Sequence, residues 1–119
     1  MHKIINIVLK ARPRVILFEG ANPRHAHEWT AWCDADIPDY NVLIPGVLDT
    51  TTNFVEHPEL VAERIERFAH IVGRERVIAG TDCGFGTFAG FGAVHPSITF
   101  PKLSSLAQGT AIASERLWK

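Results

Sequence analysis

The sequence predicts an α/β domain assembled from three parallel βα units, on two observations. Short, near-continuous apolar runs alternate along the chain with segments of helical periodicity, and each run ends in a polar or glycine-rich loop. That alternation marks βαβ units and a parallel sheet, and runs that are apolar throughout are expected of strands covered on both faces. With 119 residues, 46% hydrophobic and 21% charged, the chain has material for one modest core, so a single domain spanning 1–119 is expected.

Taken in order, the segment from about Ile4 to Lys10 predicts a short helix, and "RVILFEG" (14–20) the first strand. A second helix is expected at about His25–Cys33, and the second strand is "NVLIPGV" (41–47). The clearest helix is "HPELVAERIERFAHIVG" (57–73). Pro58 suits its first turn, Glu59 complements the N-terminal dipole, and Gly73 ends it. Leu60, Val61, Ile65, Phe68, Ala69 and Val72 make one apolar stripe along it. The third strand is "RVIAGTD" (76–82), and a last helix is expected from roughly Pro101 to Leu117, with Leu103, Leu106, Ala107, Ala113 and Leu117 broadly on one side.

Composition excludes several function classes. The formal net charge is −1 and the twelve basic residues are scattered or paired with acids, so nucleic acid is not an expected partner. The start "MHKIINIVLKARPR" has an apolar run too short to span a bilayer and lacks a small-residue cleavage site, so neither a membrane anchor nor a signal peptide is expected. Cys33 and Cys83, fifty residues apart, form no disulfide framework, which fits a reducing cytoplasm.

Parallel α/β folds place their chemistry in the loops after the strands' carboxyl ends. Three such ends occur here: Glu19 followed by "GANPRHAHEW", Asp49 in "PGVLDTTTN", and Asp82 with Cys83 in "GTDCGFG". Parallel strands bring these ends to one rim, where Glu19, Asp49 and Cys83 would converge; a carboxylate and a thiolate are both competent zinc ligands. Each has a plainer reading. Cys83 could be a small buried side chain, Cys33 core or surface filler, and Asp49, followed by three threonines, the cap of a turn. His25 and His27, spaced by two, would sit on opposite sides of a helix start, which disfavours a shared metal; Arg24 and His25 could instead bind an anion or stabilise the start of the helix. Gly84, Gly86, Gly90 and Gly92 do not have the G-x-G-x-x-G spacing of a dinucleotide loop. They would let a loop pass close to the site, with Phe85, Phe88 and Phe91 as apolar cover.

"FEGANPRHAHEW", "LIPGVLDTTTNFVEHPELVAERI", "RVIAGTDCGFGTFAG" and the closing "ASERLW" together resemble the C-terminal part of the catalytic domain of cobalamin-independent methionine synthases and their relatives, including the epoxyalkane:coenzyme M transferases. The resemblance covers essentially the whole chain. It implies the last three strands of a (β/α)8 barrel and a zinc enzyme of methionine biosynthesis or a related pathway that alkylates a small thiol. It implies Cys83 and Glu19 as zinc ligands, with Asp49 and Asn22 as substrate contacts on the same rim. Two departures accompany it: the family's remaining ligands come from a His-x-Cys motif, absent from this chain, and the histidine two residues beyond the Asp of the "VLD" segment is Thr51 here. A closed barrel needs roughly 250 residues, so three strands leave two unpaired edges and an uncovered inner face. A homo-oligomer, most simply a dimer, or docking onto an N-terminal half-barrel is therefore expected. Two function classes stay open: a zinc-dependent methyl- or alkyltransferase inactive alone and completed by a partner chain, or a non-catalytic, self-associating α/β module with a vestigial site.

Overall fold

The computed structural model describes residues 1–86 and 89–119. Its elements are α1 (Ile5–Val8), β1 (Val15–Phe18), α2 (Trp29–Cys33), β2 (Val42–Leu48), α3 (Pro58–Val72), β3 (Gly80–Thr81) and α4 (Pro96–Leu117), with a 3-10 turn at Arg74–Arg76. The strands form one parallel sheet in the order β1-β2-β3. Val15 to Phe18 pair in register with Val42 to Pro45, and Gly46 and Leu48 pair with Gly80 and Thr81 across a register shift. The three expected βα units are present, in chain order and open at both edges among the described residues.

Helices cover one face of this sheet. One core cluster joins Ile5, Leu9, Ala31, Trp32, Leu43, Phe68 and Val72, with Ile16 and Phe18 of β1 packed against it. The Phe18 ring stacks on Trp32 with centroids 4.2 Å apart and meets Phe68 edge-on. A second cluster of Val47, Leu48, Val61, Ala62, Ile65 and Ala113 joins β2, α3 and α4. The alternate β1 residues look the other way: Val15 is 48% and Leu17 62% exposed, as is Ile78, at 52%, just before β3. The expectation of strands covered on both faces is thus corrected for β1, which alternates between a packed and an open side because no helix among the described residues lies on the second face. In a closed barrel that second face would be the interior.

Helix α3 forms where its sequence signals lie. His57 accepts the Glu59 N–H through Nδ1, Pro58 is the first helical residue, and Gly73, at φ +94°, is the C-cap. Leu60, expected on its buried stripe, is exposed. Helix α4 starts five residues earlier than expected. His95-Pro96 repeats the His57-Pro58 start, with His95 Nδ1 accepting from the Ser97 N–H, so Pro101 falls inside the helix rather than opening it. Its buried face also differs: Lys102, Ser105, Gly109 and Ala113 face inward, Leu106 packs partly, and Leu103 and Ala107 are exposed. The narrow packing of α4 on α3 requires small residues, and Lys102 is drawn in by an ionic partner described below. Helices α1 and α2 are shorter than expected. Residues 23–28 are turns, and β3 is reduced to two residues, with Val77 bridging singly to Leu43.

Gly109 sets the spacing of the two long helices. A Cβ at this position would lie 2.5 Å from Val61 Cβ and 2.7 Å from the Pro58 carbonyl oxygen. Gly109→Ala should therefore force the helices apart and destabilise the fold by about 1–3 kcal/mol, the usual cost of overpacking. Urea unfolding measures it, and adding Val61→Ala should recover part of the loss; an unchanged midpoint for Gly109→Ala would mean that the helices are not this close.

Candidate functional site

The carboxyl ends of β1 and β3 come together around one buried carboxylate. Asp82 is 2% exposed and accepts four hydrogen bonds from the loop after β1. Oδ1 takes the N–H groups of Gly20 (2.8 Å) and Ala21 (2.9 Å), and Oδ2 takes the Asn22 N–H (2.8 Å) and side-chain Nδ2 (2.9 Å). Gly46 of β2 lies directly beneath, and any side chain there would collide with Asp82. The backbone of 20–22 thus wraps an anion that the protein itself supplies.

This arrangement places Glu19 beside Cys83. The thiol Sγ donates to Glu19 Oε1 at 2.8 Å, and Asn22 Nδ2 donates to Glu19 Oε2 at 3.1 Å. Both carboxyl-end residues, 64 positions apart in sequence, meet on an accessible rim: Cys83 is exposed and one third of the Glu19 side chain faces solvent. The thiol hydrogen bond is the main cause holding the Glu19 carboxyl below its ordinary range; the same bond, with burial and the negative charge, pushes Cys83 up to about 11. As a free thiol it is therefore a poor nucleophile at neutral pH. On the other side, His25 Nε2 lies 3.3 Å from Glu19 Oε2.

Asn22 is buried, with its amide nitrogen shared between Glu19 and Asp82 and its oxygen taken by the Arg24 N–H. It orients Glu19. Asp49 caps the turn after β2: Oδ1 accepts from the Thr51 N–H and hydroxyl, and Oδ2 from the Thr52 hydroxyl. Burial raises its carboxyl, but these bonds outweigh that and hold it below its ordinary value. Asp49 also lines a cavity of about 370 Å³ with Pro23, Phe54, His57 and Arg64. Arg64 reaches from α3 to the carbonyls of Val47 (3.0 Å) and Ala21 (3.3 Å), tying the ends of β1 and β2 to the helix. Behind Asp49, Glu56 accepts the Asp49 N–H and pairs at 2.9 Å with Lys102, which is fully buried.

Neither Asp82 nor the Glu56–Lys102 pair stood out as a fixed point in the sequence. Gly46 and Gly20 were the available signal: a side chain on Gly46 would meet Asp82, and one on Gly20 would meet the Gly46 carbonyl, so both mark where the backbone must approach closely. Cys33 is exposed. Phe85 packs partly on the core and Phe91 is exposed, while Phe88, also expected as cover, lies outside the described residues.

No family model matches the sequence, and no curated protein does. Among solved structures, the fold matches a B12-independent methionine synthase from Shewanella sp. W3-18-1 in complex with selenomethionine, with a TM-score of 0.71 and 19% identity. The shared feature is the fold. The match covers 98% of this chain but 31% of that one, so this chain spans about a third of the length of the methionine synthase. The methionine synthase is a TIM-barrel enzyme, and the three parallel strands here form an open sheet compatible with part of such a barrel. Among the described residues no helix is long and apolar enough to cross a membrane, and no group of three or more His, Cys, Asp or Glu side chains stands ready to hold a metal ion.

Proposed function

We propose that this chain is a truncated relative of the cobalamin-independent methionine synthases whose Glu19 and Cys83 are half of a zinc site for S-methyl or S-alkyl transfer to a small thiol. Another chain would supply the remaining donors and the missing barrel wall. The observation that carries this reading is the 2.8 Å contact between Cys83 Sγ and Glu19 Oε1 at two strand ends. A thiol and a carboxylate at contact distance, both accessible, are a donor pair suited to zinc, two short of a four-coordinate site.

Glu19 and Cys83 would hold the ion, and Asn22 fixes the carboxylate that would face it. When bound, zinc makes a substrate thiol acidic enough to be a thiolate at neutral pH while leaving it nucleophilic. Of the two expected substrate contacts, Asp49 lines the neighbouring cavity and is the one placed to meet a solute; Asn22 acts through Glu19. Thr51, which stands where the resemblance leads one to expect a histidine, directs its N–H and hydroxyl at Asp49 and completes the turn.

A second reading, a non-catalytic self-associating module, is favoured by the uncovered sheet face at Val15, Leu17 and Ile78. Metal analysis of protein purified under reducing conditions separates the two. Close to one zinc per chain, lost in Cys83→Ser, is the result expected of a working donor pair. A metal-free chain that sediments as a dimer or larger species at micromolar concentration would support the module, and a metal-free compact monomer would remove both readings.

A further inference from the structure

Strand β1 borders the sheet on a side with no neighbouring strand among the described residues. Its backbone is arranged to take one. The Val42 N–H donates to the Arg14 carbonyl, so in the parallel ladder the even-numbered residues of β1 face β2 and the odd-numbered ones face outward. The N–H and C=O groups of Val15 and Leu17 therefore lie along the open edge, where no hydrogen bond among the described residues reaches them. The two residues are 48% and 62% exposed.

We propose that β1 is an assembly edge, pairing antiparallel with β1 of a second copy of this chain about a twofold axis beside Ile16, so that two three-stranded sheets join into one of six strands. The proposal rests on the self-association reading above and gives it an edge and a register. Pairing Val15 with Leu17 of the second copy, and Leu17 with its Val15, satisfies the outward N–H and C=O groups of both chains in four hydrogen bonds. It also sets apolar side chains opposite each other on the open face. Sliding the second copy by two residues loses one or the other: in one direction Leu17 meets Pro13, which has no N–H, and in the other Val15 meets the Glu19 carboxylate.

Charge, topology and area select the same occupant. Arg12 and Arg14 lie at the start of β1 and Glu19 at its end, so antiparallel pairing sets the basic start of each copy beside the acidic end of the other. Each copy thereby brings guanidinium groups to the Glu19 rim of its neighbour. The opposite border, β3, has only two residues, a poor template for copies joined head to tail, whereas β1 on β1 closes on itself as a dimer. The chain exposes 7188 Å², about 800 Å² more than the roughly 6,400 Å² usual for a compact protein of 13.2 kDa. That excess matches one partner's share, about 800 Å², of a standard protein interface.

The test is sedimentation velocity at micromolar concentration on wild type and Leu17→Pro. Because the Leu17 N–H points away from β2, proline there removes one edge donor from each copy and leaves the ladder to β2 and the apolar open face in place. Wild type should sediment as a dimer of 13.2 kDa chains. Leu17→Pro should raise the dissociation constant at least about 30-fold, since each dimer loses two hydrogen bonds and strands two acceptors. Far-ultraviolet circular dichroism checks the fold of the variant. The register is read by oxidation in a Cys33→Ser/Cys83→Ser background: Ile16→Cys should cross-link two copies faster than Leu17→Cys, because the twofold makes Ile16 a non-hydrogen-bonded pair with Cα atoms about 4.5 Å apart. If Leu17→Pro loses its fold, this cross-link decides alone. Faster cross-linking of Leu17→Cys would overturn the register. A dimer that survives in folded Leu17→Pro with wild-type affinity would overturn edge pairing and leave self-association through the open face standing, and a monomeric wild type would remove both.

Discussion

Replacing Asp82 by alanine should cost the fold on the order of 4 kcal/mol. The carboxylate is buried and accepts four N–H donors, three of them backbone groups of Gly20, Ala21 and Asn22. Without it the three backbone donors lose their acceptor, at about 1–3 kcal/mol for each group left unpaired, while the Asn22 amide keeps Glu19. Whole-domain stabilities are typically only about 5–15 kcal/mol, so the variant should sit near the edge of folding. Asp82→Asn is the informative companion. Its oxygen can still accept from two of the donors, but its NH2 must face the others, so it should lose less than alanine and remain folded. Urea midpoints for the two variants rank them, and the rim reports a second effect: with the 20–22 loop released, Cys83 should alkylate at a rate no longer governed by Glu19. Equal midpoints for wild type and Asp82→Ala would show that the loop holds its shape without the carboxylate.

The second large effect is expected at Lys102. Its ammonium group is completely enclosed and pairs with Glu56 at 2.9 Å, while Glu56 also accepts the Asp49 N–H and its carbonyl accepts from Ser105. Lys102→Met keeps the length of the side chain but leaves the Glu56 carboxylate buried and uncompensated, a situation that typically costs about 3–5 kcal/mol. The double variant Lys102→Met/Glu56→Gln removes the stranded charge and keeps an oxygen for the Asp49 N–H. It should recover much of the loss, because a buried pair is strongly missed only when one partner is taken away. A double variant no more stable than the single one would mean that the hydrogen bonds of Glu56, and not its charge, hold α4 against the rim.

How far these features were readable from the sequence depended on where the signal lay. Strand β2 and helix α3 were legible because apolar residues, Pro58 and Gly73 speak directly to backbone geometry. The start of α4 was missed although His95-Pro96 repeats His57-Pro58; Pro101 drew the boundary inward because a proline reads as a helix start. The inner face of α4 was missed for a different reason. Hydrophobic periodicity finds leucines, whereas this face is built from a glycine that permits close approach and a lysine that is tolerated only because Glu56 waits for it. At the rim, Glu19 and Cys83 stood out by residue type and position, and the structure brings them together. The part of Asp82 could not be read off, since its partners are main-chain N–H groups that every sequence possesses. The spacing of His25 and His27 speaks only against a metal shared between them; it does not show that the His25 ring lies between Glu19 and Glu28.

Because β1, β2 and β3 lie side by side in the order in which the chain lays them down, no strand among the described residues is inserted between two laid down before it. A gene encoding such a sheet can lengthen by duplication or fusion at either border, each added unit docking on a vacant margin while the existing pairings stay as they are. The same property makes the piece portable: it can be grafted, split or recombined with other such pieces along its seams, a modularity that a sheet with interleaved strands would not permit.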